Sequence, residues 1–292
     1  MTGGLDERTA DHLKTWVGRT ETVTDEIVAA QVAAMSATID RDDPAPKPGD
    51  PLPPLWHWLF FMPRMRRSLL GRDGHPALGG FLPPVPLPRR MWAGSRLTWT
   101  SPLAVGAAAE KVSTVADVAV KEGKTGPLVF VTVRHELFQK GVSCLTEAHD
   151  IVYRGYDAPG AAKPKPLPPP GVPEFSRTVT PDPVLLFRYS ALTFNGHRIH
   201  YDRSFCTGEE GYPGLVFHGP LTATLLVDLV RGRFPGADIR SFAFRAVSPL
   251  FDTAPFSIHG CKTPQSDDGA YTLWAQNPEG ALAMQAEIRI AV

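Results

Sequence analysis

The feature that most limits how this chain can fold is a run of prolines near its middle, PGAAKPKPLPPPGVP at residues 159–173. Each proline removes a backbone donor and fixes φ, so the run fits neither a helix interior nor a central strand. It reads instead as a semi-rigid connector between two units. On this basis residues 1–156 form an N-terminal unit, 157–181 the connector and 182–292 a C-terminal unit. Two shorter clusters, PAPKPGDPLPP at 44–54 and PPVPLP at 83–88, interrupt the first unit.

The two units echo each other. RLTWTSPLAVGAAAEKVSTV (96–115) resembles FAFRAVSPLFDTAPFSIHG (242–260). In both, an apolar run enters Ser-Pro-Leu, breaks briefly and resumes as an alternating stretch, and the two triplets stand about half a chain apart. Strand-like pairs follow each. LVFVTVRHELFQ (128–139) and VSCLTEAHDIVYR (142–154) flank Lys140-Gly141, and YTLWAQN (271–277) and ALAMQAEIRIAV (281–292) flank a Pro-Glu-Gly break. Both pairs are rich in β-branched and aromatic residues and read as hairpins.

Helices are few. TDEIVAAQVAAMSATID (24–40) has acidic residues in its first turn and an apolar stripe at Ile27, Val28, Val32, Met35 and Ile39. GPLTATLLVDLVRGRF (219–234) carries a proline where a first turn tolerates it and is apolar on most sides, so it is expected to be buried. The expected fold class is α+β: two antiparallel sheets each wrapping a helix, a double hot-dog.

Composition narrows the function. Thirty basic residues balance thirty acidic ones, so no net field attracts nucleic acid or an anionic membrane. Cys144, Cys206 and Cys261 show no metal-type spacing and leave one thiol over in any disulfide scheme, which suits a reducing compartment. The polar, acidic N-terminus is unlike a signal peptide, and no uncharged apolar run reaches the roughly 18 residues of a membrane span. The expectation is a cytoplasmic protein.

The segments FRYSALTFNGHRIHYD and EGYPGLVFHGPLTATLL resemble the MaoC-like hydratase/dehydratase group of hot-dog enzymes. PLPPLWHWLFFMP, GRDGHPALGGFLPPVPLPRRMWAGSRL and LVFVTVRHE narrow the resemblance to the branch containing hydroxyacyl-thioester dehydratase type 2 and mesaconyl-C4-CoA hydratase. It covers most of residues 20–292. The resemblance implies water addition to, or removal from, acyl thioesters of CoA or acyl carrier protein, with no cofactor or metal. The wider group's motif is D-x-N-P-x-H. Here the matching run is NGHRIH, with Asn195 at the aspartate position, His197 and Arg198 in place of Asn-Pro, and His200 at the histidine.

Hydration of an enoyl thioester needs a base for the attacking water, an acid for Cα and donors for the enolate oxygen. His200 is the candidate acid/base group, because imidazole titrates near neutrality. Asn195 cannot exchange a proton usefully but can position water. The backbone N–H of Gly219, at the start of the apolar helix, is the candidate oxyanion donor. His197, Arg198, His218 and Arg245 are candidate substrate contacts, the two arginines for a distal carboxylate. Plainer roles compete with each: Asn195 as the cap of a short helix, Asp202 as a cap or buttress, Tyr189 as sheet packing, and Gly219 as glycine for close packing. Arginines in RMRR and RRMWAGSR either meet carrier phosphates or form a solvated face. A metal bound by His197 and His200 lacks a third ligand at a suitable spacing. No second NGHRIH occurs in the first half, so one site per chain is expected, and either a monomer or a homodimer is compatible with two hot dogs in one chain.

Overall fold

The computed structural model describes residues 5–123, 126–156, 165–264, 266 and 269–291. In chain order these form α1 (Glu7–Lys14), β1 (Thr20–Glu26), α2 (Ala29–Thr38), β2 (Arg89–Trp99), β3 (Ala108–Gly123), β4 (Gly126–Gln139) and β5 (Val142–Arg154). The second half contains β6 (Phe175–Val179), α3 (Pro183–Leu192), α4 (Gly219–Arg233), β7 (Asp238–Ala246), β8 (Phe256–Lys262), β9 (Ala270–Gln276) and β10 (Leu282–Ala291). Both hairpins read from the sequence are present. Lys140 and Gly141 turn β4 into β5 with φ of 52° and 76°, the left-handed pair that a tight hairpin turn requires. At the other, the Asn277 side chain accepts from the N–H of Ala281.

The strands form one antiparallel sheet in the order β1-β3-β4-β5-β2-β7-β10-β9-β8-β6. This is a double hot-dog whose two sheets are fused. Each half contributes the same four-strand unit with an extra edge strand, and the two units meet between β2 and β7, from Gly94↔Arg245 to Thr98↔Ser241. Gly94 has to be glycine, because a Cβ there would lie 2.2 Å from the Phe244 carbonyl oxygen. The repeated Ser-Pro-Leu triplets have the same task in each half. Ser101 donates its N–H to the carbonyl of Cys144, and Ser248 to that of Ala283, hooking the unit's first strand onto its fourth.

Three local expectations change. The helix read over 24–40 begins at Ala29, and residues 20–26 form the edge strand β1 paired with β3. The β-branched Thr20, Thr22, Val23 and Thr24 favour pairing over a first helical turn. Residues 175–179, inside the span read as connector, form β6 against β8. The neighbouring residues 157–164 lie outside the described ones. The run DPVLLFRYS, whose Tyr189 was expected to pack in a sheet, is α3. Asp182 accepts from the N–H groups of Val184 and Leu185, with Pro183 in the first turn, so capping chemistry decides the conformation. Tyr189 therefore packs from a helix rather than a sheet.

The halves are unequal inside. The strands of the second half wrap α4, whose Leu221, Leu225, Leu226 and Val230 are buried. In the first half α2 is shorter and packs beside α3. Segments from the long connection before β2, among them Trp56, Leu59 and Phe61, share the buried core with Leu97, Leu137 and Leu145 of the strands. No helix among the described residues is long and apolar enough to cross a membrane.

Asp228 of α4 ties the pieces together. It is 2% exposed and meets Arg41 at 2.5 Å, Arg177 of β6 at 2.9 Å and Arg231 at 3.6 Å. Removing one partner of a buried ion cluster costs about 3–5 kcal/mol, because the remaining charges stay buried without compensation. Asp228→Ala is therefore expected to lower stability by about that much, measured from urea unfolding. A loss under about 1 kcal/mol would contradict this role, since that is the range of exposed pairs.

Candidate active site

The segment after α3 is shaped by its own polar groups. Phe194 adopts a left-handed φ of 47°. The N–H of Asn195 returns to the carbonyl of Ser190 at 2.8 Å, and the Asn195 side-chain oxygen accepts from the N–H of His197 at 3.0 Å. A single 3₁₀ turn, Arg198–His200, follows. Asp202 accepts from the Phe205 N–H and the Ser204 hydroxyl, which is the capping role considered for it.

His200 is 8% exposed. Its Nδ1 lies 2.7 Å from the carbonyl of Val216, which assigns the proton to Nδ1 and leaves Nε2 with a lone pair. Its ring stacks on His218 with centroids 3.7 Å apart and an interplanar angle of 18°. Burial pushes its pKa down to about 4, partly offset by the bond to Val216, so the ring is neutral near pH 7.

The first half reaches into this site, which the sequence reading missed. The loop at 71–77 docks on the NGHRIH segment. Arg198 donates its N–H to the Asp73 carbonyl at 2.9 Å, and a Cβ on Gly74 would fall 1.9 Å from the Gly196 carbonyl oxygen. Docking places the His75 ring 4.0 Å from that of His197, and His75 Nδ1 donates to the Asp73 carboxylate at 2.8 Å. Asp73 is held well below the usual carboxylate range: burial opposes this, but the bond from His75 outweighs it. Burial lowers the pKa of His75 against the pull of Asp73.

The ligating atoms of Asp73, His75 and His197 lie within 4.8 Å of one another, a set that could hold a metal ion. His200 is not part of this set, so it is not the His197–His200 pair considered from the sequence; its other two members come from more than 100 residues upstream. Two observations argue against a cation there. The Asp73 carboxylate is already used by His75, and the positive charge of Arg90 bears on both imidazoles.

The NGHRIH segment and the docked loop border a cavity of about 1230 Å³ with walls from both halves. Asn195, His197, His200 and Gly219 line one side. A Cβ on Gly219 would meet nothing within 4 Å, so close packing does not demand glycine there. Its N–H opens α4 and finds no acceptor among the described residues.

The opposite wall is the concave face of the first-half strands, and it is polar. Glu147 is 3% exposed and accepts from His57, Trp58 and Ser95 at 3.2, 3.1 and 2.7 Å. Burial would raise its pKa, but the bond and charge of His57 keep it ionised. His135 shares a 2.9 Å hydrogen bond with Ser113, and His149 stacks on Trp92 at 4.0 Å. Burial pushes His135 to about 3, His149 to about 4 and His197 to about 2. A signal for this wall exists in the sequence. His135, Glu147 and His149 occupy inward positions of β4 and β5 that otherwise hold Val133, Leu137, Leu145 and Ile151.

Of the expected substrate contacts, His197 alone lines the cavity. His218 is fully buried behind His200, where its Nε2 hydrogen-bonds the Ser190 hydroxyl at 2.8 Å. Arg198 is committed to Asp202 at 2.8 Å, to the Arg72 carbonyl and to the face of Phe205. Arg245 is exposed on β7, and its side chain is no part of the cavity wall, because successive strand residues face opposite ways and Phe244 is the one turned inward.

These neutral imidazoles carry a pH dependence. An unfolded histidine binds a proton below about pH 6.5, whereas the folded His135, His149, His197 and His200 do not until far lower. Their contribution to stability is intact above about pH 6.5 and is lost as pH falls, each by up to about 1.4 kcal/mol per pH unit. The melting temperature is expected to drop steeply from about pH 6.5 to 5, and the slope to soften in His149→Gln. A flat profile would contradict the uncharged state.

A model of the family described as hydroxyacyl-thioester dehydratase type 2 matches residues 55–252. Mesaconyl-C(4)-CoA hydratase of Chloroflexus aurantiacus is 49% identical over 278 residues, which span 94% of this chain and 96% of that protein. The mitochondrial hydroxyacyl-thioester dehydratase type 2 of Schizosaccharomyces pombe is 29% identical, over 71% of this chain and 77% of its own length. Among solved structures, a MaoC-like dehydratase from Phytophthora capsici shares the fold at a TM-score of 0.72 and 16% identity, with 97% of each chain covered.

Proposed function

The chain belongs to the hydroxyacyl-thioester dehydratase type 2 family and is a hydro-lyase of acyl thioesters, and we propose that it adds water reversibly to the α,β double bond of an enoyl-CoA of the mesaconyl-C4 kind. The observation that carries this reading is that His200 and Gly219 line the same side of one cavity: a neutral imidazole whose proton is on Nδ1, and a helix-start N–H with no acceptor among the described residues.

In the proposed reaction, His200 Nε2 takes a proton from water as the water oxygen attacks Cβ. The electrons of the double bond move to Cα and the thioester oxygen. That oxygen gains negative charge, and the Gly219 N–H and the dipole of α4 stabilise it. A backbone donor of this kind is worth about 3 kcal/mol in the transition state. The imidazolium then returns its proton to Cα on the same face. A ring with a folded pKa of about 4 is neutral near pH 7 and so available as the base, and it gives its proton up readily once charged. Asn195 helps hold the water through its amide, the atom not engaged by His197.

The test is the loss of enoyl-thioester absorbance with mesaconyl-C4-CoA and crotonyl-CoA, in wild type and in His200→Asn. The substitution is expected to lower kcat by roughly 10²- to 10⁴-fold with the melting temperature retained. Wild-type turnover of carrier-protein thioesters but not of either CoA ester would move the reading to a 3-hydroxyacyl-thioester dehydratase. Binding without turnover on either carrier would make the chain a non-catalytic acyl-thioester subunit.

A further inference from the structure

We propose that Arg90 binds a free carboxylate on the acyl group, and that asparagine rather than aspartate stands at 195 because the substrate brings a negative charge into the site. The inference rests on the hydratase reading above and assigns the part of the site that selects a dicarboxylic monothioester.

Strand β2 carries three arginines with different surroundings. Arg89 pairs with Glu210 at 3.4 Å and Arg96 with Asp150 at 2.5 Å. Arg90, half-buried and opposite Tyr153 in the register with β5, lines the cavity. Among the described residues no carboxylate lies within ion-pair distance of it. The groups on which its charge bears are His75, His149, His197 and the Tyr153 phenol, all uncharged near neutrality. A half-desolvated guanidinium with no anion to face is costly, and a planar carboxylate is the partner its fork of donors fits.

Of the other cations that line the cavity, Arg67 is exposed and Arg154 is engaged with another group. Lys111 lies deep in the first-half wall, where the ionised Glu147 offsets its charge, and it is 3.4 Å from the Phe61 carbonyl. Arg198 and Arg245, the sequence's candidates for a distal carboxylate, do not line the cavity.

Asn195 fits the same logic. In an acyl group of the mesaconyl-C4 type the free carboxylate is attached to the carbon that water attacks, so it lies beside the base. His75 bridges the two regions: its ring neighbours that of His197, and its charge, when present, is felt by His200. An aspartate at 195, the residue of the wider group's motif, would set a second anion against that carboxylate. Asparagine keeps the shape and the bond to the His197 N–H without the charge. The polar first-half wall is consistent with a short acyl group ending in a charge, since a long alkyl chain would meet the ionised Glu147 and three imidazoles.

The experiment compares kcat/KM for mesaconyl-C4-CoA with that for crotonyl-CoA, an enoyl thioester without the carboxylate, in wild type, Arg90→Gln, Arg90→Lys and Asn195→Asp. Wild type is expected to prefer the dicarboxylic ester. In Arg90→Gln that preference should collapse by roughly 100-fold, as when one charged partner of a hydrogen-bonded pair is removed, and mainly through KM. Arg90→Lys should recover part of it, and Asn195→Asp should reduce it. Equal losses on both esters would place Arg90 on the shared CoA portion and overturn the proposal, as would an unchanged ratio. Failure of wild type to hydrate either ester would instead strike the hydratase reading.

Discussion

Everything distinctive about this molecule depends on the pairing of β2 with β7. Hydrogen bonds from Gly94 to Thr98 merge two sheets into one, and the absent side chain at Gly94 lets the strands meet where Phe244 would otherwise block them. The merger puts the concave face of the first half opposite the start of α4 in the second. The cavity draws on both halves: the second brings His200 and the helix start to it, and the first brings Arg90, His149 and His75, the last held by Asp73. The contact of Gly74 with Gly196 then locks the loops that carry those groups.

The two halves have diverged around a shared plan. Where the second wraps α4 in apolar side chains, the first leaves room at the same level and lines it with imidazoles, a glutamate and a guanidinium. Desolvation governs what these groups can be. It strips protons from the histidines, so the wall offers neutral donors and acceptors in place of a diffuse positive charge. The guanidinium of Arg90, a planar cation with a fork of donors, faces the same cavity. Glu147 stays ionised because three donors compensate it.

Much of this was legible in the sequence, for identifiable reasons. Period-two alternation and the Lys140-Gly141 turn betray β4 and β5, the Ser-Pro-Leu repeat betrays the internal symmetry, and the apolar surface of 219–234 betrays a buried helix. Local chemistry also explains the errors. Tyr189 was assigned to a sheet although Asp182-Pro183 is a helix start, and the helical stripe at 24–40 hid the β-branched edge strand before it. His200, Asn195 and Gly219, which line the cavity together, share one stretch of chain and could be read together as candidates. Asp73, His75 and Arg90 could not, because only folding brings residues more than 100 positions away against NGHRIH. Arg198 and Arg245 were attractive for their charge alone, and charge says nothing about which face of a strand or which neighbour a side chain takes.

In the proposed enzyme, reaction and recognition share one cavity built by both halves. The most direct measurement is a crystal structure with methylsuccinyl-C4-CoA, a saturated analogue that cannot react. The thioester oxygen is expected on the Gly219 N–H, the β carbon next to His200 Nε2 and the free carboxylate on the guanidinium of Arg90. A complex with the carboxylate in solvent, or with the acyl group remote from His200, would contradict it.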